Sequence, residues 1–152
     1  MYLTSSDYEL MHDGDDDDDE QIVGITFPSV DIAKEHLLIY ASARFQVDEV
    51  NPGPSDQSVT VSIYGELNAN SVRPSSSAGD LSARTPTAAN VMWQPEASAT
   101  VGDALNTPDI SSIVREIVSL PDWTQGNPMT ILFGHTAGAG VRWVEVRLDI
   151  LN

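Results

Sequence analysis

The chain has 152 residues, 41% of them hydrophobic, no cysteine and a formal net charge of −16. Length and apolar content suit a single domain over residues 1–152, with enough side chains for a real core. One lysine, Lys34, and six scattered arginines argue against nucleic-acid binding and against an anionic membrane surface, because both need clustered basic residues.

The other bulk features narrow the class further. Without cysteine there is no disulfide and no thiolate metal site. That composition is compatible with the cytosol and equally with an exported protein stapled by calcium. No apolar run approaches the ~20 residues of a membrane span. The segment Met1-Tyr2-Leu3-Thr4-Ser5-Ser6 has no basic region followed by an apolar one, so no Sec-type signal peptide is expected.

In chain order, Tyr8 to Met11 is a weak strand candidate, and residues 12–20 are an acidic loop. Ile22–Phe27 reads as a short core strand. Leu37, Ile39, Ala41, Ala43, Phe45 and Val47 alternate with Tyr40, Ser42, Arg44 and Gln46, which predicts a half-buried strand over 37–47. Asn51 to Asp56 is a Pro/Gly loop. Val59, Val61 and Ile63 alternate with Thr60, Ser62 and Tyr64 in a further strand. Residues 68–90, rich in Ser, Ala, Pro and Thr, read as a long excursion, followed by a weak strand at Val91-Met92-Trp93.

Ile110, Ile113, Val114, Ile117 and Val118 fall on one stripe and predict an amphipathic helix over 108–119. Thr107 is its expected N-cap, Pro108 its first residue, and Asp109 complements the dipole. Leu120-Pro121 ends it. Met129 to Phe133 is another core strand. Gly138-Ala139-Gly140 is expected to make a hairpin to the last strand, where Val144, Val146, Leu148 and Ile150 alternate with Trp143, Glu145, Arg147 and Asp149. Many short strands with one helix and no regular βαβ alternation predict an all-β fold, an antiparallel β-sandwich of jelly-roll type.

The most unusual segment is Asp13-Gly14-Asp15-Asp16-Asp17-Asp18-Asp19-Glu20, seven carboxylates in eight positions. Charges this dense repel unless cations, water or a basic partner neutralise them. Three readings stand open: a solvated loop, a calcium or magnesium site, and a contact to a basic partner. The metal reading takes Asp13, Asp15, Asp17, Asp19 and Glu20 as oxygen ligands, completed by Asp48 and Glu49 at a strand end. The spacing is not that of an EF-hand, since its glycine stands second in the run.

Nothing else looks catalytic. Asp7, Glu9, Asp48, Glu49, Glu66 and Asp80 read as solvated rim acids, and no pair is placed as a glycosidase requires. His12, His36 and His135 have no metal-ligand spacing, and no nucleophile elbow or phosphate loop is present. Trp93, Trp123 and Trp143 are candidates for a sugar-stacking platform, but the first two are expected to close the sandwich ends or pack under loops. Trp143, on the face opposite the apolar stripe of its strand, is a contact candidate together with Tyr40 and Tyr64.

Several segments occur in an order similar to that of a known module. They are Leu3 to Leu10, Gln21 to Phe27, Val47 to Val50, Ile63 to Glu66, Ser82 to Thr85, Val91 to Pro95 and Thr107 to Gly134. The chain thereby resembles the DNRLRE-like, carbohydrate-binding jelly-roll β-sandwich modules of large secreted bacterial proteins. The match runs to about Gly134. The C-terminal segment diverges, with His135 to Gly140 in place of a longer acidic and aromatic stretch. The resemblance implies the sandwich architecture and, as a functional expectation, carbohydrate binding.

Two functional expectations follow. The first is a non-enzymatic structural module on the surface of a larger assembly, such as a virion decoration or cement protein, contacting a protein scaffold or copies of itself. The second is a carbohydrate-binding or adhesion module that contacts a glycan at a cell or extracellular surface. The start at Met1 and the missing signal peptide favour the first.

Overall fold

A computed structural model describes residues 8–10, 21–50, 53, 57–97 and 100–151. It contains strands β1 (Tyr8–Leu10), β2 (Ile22–Phe27), β3 (Tyr40–Glu49), β4 (Val59–Glu66), β5 (Pro86–Trp93), β6 (Ala104–Asn106), helix α1 (Ser111–Val118), β7 (Met129–Gly138) and β8 (Arg142–Leu151). Two four-stranded sheets form, one in the order β1-β8-β3-β6 and the other in the order β2-β7-β4-β5. Every strand pair is antiparallel. The protein is an all-β sandwich with one short helix, as the alternating pattern predicts.

The inner faces supply the core. Ala41, Ala43, Phe45 and Val47 of β3 are buried, opposite Val59, Val61 and Ile63 of β4 and Ile131 and Phe133 of β7. Phe45 joins the sheets: its ring stacks on Trp93 at 5.5 Å between centroids and meets Phe133 edge-on at 5.4 Å. The predicted helical stripe, Ile110, Ile113, Val114, Ile117 and Val118, is wholly buried.

The helix starts at Ser111, later than the spacing suggests, because residues 107–110 still serve the sheet. Beyond β6 the chain leaves β3, and side chains replace its carbonyls. Thr107 Oγ1 accepts the Ala43 N–H at 3.0 Å and is therefore not the N-cap. Asp109 Oδ1 accepts the Ala41 N–H at 3.2 Å and the Ser111 N–H at 2.9 Å, so one carboxylate ends a sheet and begins a helix.

Three further expectations need correction, and one strand was not expected. The strand expected from Leu37 begins at Tyr40: the Leu38 N–H bonds to His36 O at 3.0 Å, and this three-residue turn breaks the alternation. Leu38 is buried, whereas Leu37 and Ile39 are 77% and 71% exposed. The long excursion ends at Thr85, since Pro86 to Asn90 already belong to β5. The three-residue β6 has no periodicity to announce it. Gly138 to Gly140 is no hairpin but the crossing from one sheet to the other, as β7 pairs with β2 and β4 while β8 pairs with β1 and β3. Gly138 has φ 92°, and a Cβ there would lie 2.2 Å from Ser58 O.

The connections gather at opposite ends. At one end Arg142, paired with Leu10 in the register, donates to Glu96 O (3.0 Å), Gln57 O (3.0 Å) and Pro95 O (3.2 Å). Gly140 N–H reaches Ser58 O at 3.1 Å and Gly102 N–H reaches Val47 O at 2.8 Å. At the other end, Val30 N–H bonds to Asn127 O, Trp123 Nε1 to Ile32 O, Asn127 Nδ2 to Ala69 O and Lys34 Nζ to Leu120 O.

Two outcomes are expected. Truncating Phe45→Ala removes both ring contacts and should cost about 3–5 kcal/mol, read as a lower urea midpoint at unchanged m-value. Burial pushes the Asp109 carboxyl up, but the bonds from Ser111 and Ala41 and the Arg115 charge outweigh it and hold it below its ordinary value. Its stabilising contribution is therefore full above the unfolded pKa of about 3.9 and is lost as pH falls from there through the lower folded value. The stability gap between the native chain and Asp109→Ala should narrow across that window in urea titrations at stepped pH.

Candidate functional site

The outer face of the β2-β7-β4-β5 sheet carries a groove. Alternation puts Val61 and Ile63 in the core and turns Ser62 and Tyr64 outward on β4. The register sets Ser62 beside Met92 and Tyr64 beside Asn90 on β5. On the other side Ile22, Gly24 and Thr26 of β2 face Gly134, Leu132 and Thr130 of β7. Residues 67–85 fold back over this face. Leu81 settles on Gly24, where an added Cβ would meet its Cδ2 at 2.6 Å.

The result is an open groove of about 460 Å³, lined by Tyr64, Ser62, Asn90, Ser82, Leu81 and Arg84 among others. That volume is in the range of small-molecule sites, about 300–1,000 Å³. Tyr64 is half-buried, and burial pushes its phenol above the ordinary value, so it stays neutral and able to donate. An aromatic ring beside hydroxyls and a carboxamide, with one apolar wall, suits a flat polar ligand.

Arg84 fixes the wall. Its guanidinium donates to Glu66 Oε2 at 2.8 Å, to Asp80 Oδ2 at 3.2 Å and to Val72 O at 2.9 Å, and its side chain is 8% exposed. Ser71 Oγ and Asn68 Nδ2 also donate to Glu66. The Ser75 N–H bond first, and the Arg84 charge after it, overcome the opposing effect of burial and hold the Asp80 carboxyl below its ordinary value. Glu66 and Asp80, read from sequence as solvated rim acids, are instead the two anions of this cluster. The sequence signal was weak: an Arg four residues after an Asp, in a stretch with no periodicity.

The remaining candidates are scattered. Tyr40, half-buried, lies on the outward side of β3 in the other sheet, so the structure does not bring it to Tyr64. Trp143 pairs with Glu9 on one side and Glu49 on the other; its side chain is outside the described part. Trp93 and Trp123 are buried, Trp123 donating Nε1–H to Ile32 O at 2.9 Å, so neither joins an exposed platform.

Asp13, Asp15, Asp17, Asp19 and Glu20 lie outside the described residues, in the segment joining Leu10 to Gln21. Asp48 and Glu49 are exposed at the end of β3, at that same end of the sandwich. Among the described residues no three potential metal-ligating side chains cluster.

The connecting segments differ in charge along the sequence. The four that join strands at the Arg142 end (residues 11–21, 50–58, 94–103 and 139–141) have ten carboxylates and no lysine or arginine in their sequence, eight of the ten outside the described residues. The three at the other end (28–39, 67–85 and 107–128) hold six carboxylates against four bases. Of the five exposed large hydrophobics among the described residues, Leu37, Ile39 and Val72 sit at this second end.

Substituting Arg84→Met strips a buried pair of one partner and should cost about 3–5 kcal/mol, read in urea unfolding. Replacing Gly24→Val should displace Leu81 and alter the amide shifts of Tyr64 and Asn90 while the core resonances hold.

No protein-family model, curated protein or solved structure matches this chain.

Proposed function

We propose that this protein is a non-enzymatic structural module that docks on a larger assembly, in the manner of a virion decoration or cement protein. The observation that carries this reading is the asymmetry of the two ends. Leu37 and Ile39, 77% and 71% exposed, offer an apolar foothold where charge is nearly balanced. The segments that join strands at the opposite end have ten carboxylates in their sequence, a charge that opposes contact with acidic surfaces. Glu66 and Asp80 are spent on Arg84 rather than opposed across a cleft, which supports a role without catalysis.

We read the nested pairing of β1 with β8, β2 with β7, β3 with β6 and β4 with β5 as a jelly roll, in keeping with the similarity to DNRLRE-like modules. That architecture serves viral capsids and lectins alike, so it favours neither function. A second reading, carbohydrate binding, draws on the groove at Tyr64, whose ring, hydroxyls and carboxamide have the chemistry that sugars require. For calcium, the candidate ligands are Asp13, Asp15, Asp17, Asp19 and Glu20 together with Asp48 and Glu49.

The docking reading is tested on native particles from the source organism. Cryo-electron microscopy should place the chain at regular copy number, with Leu37 and Ile39 inside a contact burying more than about 1,000 Å². A monodisperse monomer found in no particle would sink it. For calcium, melting in millimolar CaCl2 against chelator should show a stabilisation of about 2.7 kcal/mol at one hundred times the dissociation constant; no shift removes the metal.

A further inference from the structure

We infer that this protein pairs with a second copy of itself along β2, the two strands running antiparallel about a two-fold axis and joining the β2-β7-β4-β5 sheets of both copies into one. Among the described residues the sandwich has four sheet edges, β1, β6, β5 and β2. An edge presents a row of unpaired N–H and C=O groups, and proteins guard it with short strands, proline, bulges, charge or a covering element. β1 and β6 are three residues long. β5 opens with Pro86, has a register shift against β4, and has its Ala88 and Ala89 N–H groups taken by Glu116. β2 has none of these devices. Its six residues, Ile22 to Phe27, include no proline and no charge, and its register with β7 runs unbroken. Every second residue turns its N–H and C=O away from β7, and no described residue bonds them. Five of the six are only half-buried, so the edge is open to a partner.

The groups on such an edge fit another extended backbone, and the sequence of β2 fits its own copy. Val23, Ile25 and Phe27 face the core, while Ile22, Gly24 and Thr26 face the groove side. Side-chain direction and outward backbone groups share the period of two. A two-fold axis through Ile25 therefore matches both at once. Val23 then stands beside the partner's Phe27 on the core side, and Gly24 beside the partner's Thr26 on the other, with no charge facing its like. Charge also fixes the direction. The sequence entering β2, residues 11–21, has seven carboxylates and no lysine or arginine, whereas the sequence leaving it, residues 28–39, has two carboxylates and Lys34. Antiparallel pairing brings the entrance of one strand to the exit of the other. Parallel pairing would set the two acid-rich segments side by side.

The test is sedimentation velocity and hydrogen exchange on the full chain from about 1 to 200 μM, since assembly follows concentration. A dimer of twice the 16.4 kDa chain is expected to grow in with concentration, and the outward amides of β2 to gain about tenfold protection as it does. Thr26→Lys puts a lysine on the edge, a device β2 lacks, and should weaken the dimer about tenfold or more while its melting curve keeps the fold. Raising NaCl from about 50 to 500 mM should strengthen the native dimer by screening the net charge of −16. A monomer throughout the range overturns the pairing, whether its β2 amides exchange freely or are covered by the chain's own residues. A dimer that leaves the β2 amides exposed and is indifferent to Thr26→Lys uses another surface and overturns it equally. Either failure leaves the docking and carbohydrate readings standing, since neither uses the β2 edge.

Discussion

The contact of Phe45 with Trp93 and Phe133 holds the two sheets to each other. A sheet with one apolar face is not stable alone, and here each sheet supplies the other's cover. Phe45 comes from β3, at the middle of one sheet, and the other two rings from β5 and β7 of the second. The helix is drawn into the same core, where five aliphatic side chains close the space between β3 and β5.

The closing of the core leaves backbone groups to satisfy, and the chain solves this locally with side chains. Thr107 and Asp109 take over the ladder of β3 where β6 ends. Glu116 does the same for the outer strand β5, accepting the Ala88 and Ala89 N–H groups at 2.8 Å each. That carboxylate also covers part of an edge that would otherwise invite a foreign strand. Arg142, 2% exposed, ties two loops through three of their carbonyls. Charged side chains thus act inside this fold as substitutes for backbone partners.

Topology then divides the surface. Successive strands run in opposite directions, so connections alternate between the ends. The outer face of one sheet is left partly covered by residues 67–85, which makes a groove instead of a flat sheet. The described surface offers exposed aliphatics, Leu37 and Ile39, at one end and, on one sheet face, a groove in which Tyr64 lies beside the ion-paired Arg84.

Period-two alternation in residues 41–47 and 59–64, the apolar run at 129–133 and the aliphatic stripe at 110–118 were legible in the sequence, because burial writes itself into composition and spacing. Tyr64 was legible as an outward aromatic for the same reason. The edges of elements were not. The turn at Leu37 reverses which aliphatics are buried, and the hydroxyl of Thr107 serves a strand that lies 64 residues earlier. The ion cluster joins Glu66, Asp80 and Arg84 across a stretch without periodicity. By itself the sequence determined an acidic, cysteine-free chain of alternating strands with one helix, since composition and local period are properties of neighbours along the chain. Only the tertiary structure decided which strands pair, which acids are neutralised and where a groove opens, since those depend on residues far apart in sequence that meet when the sheets close.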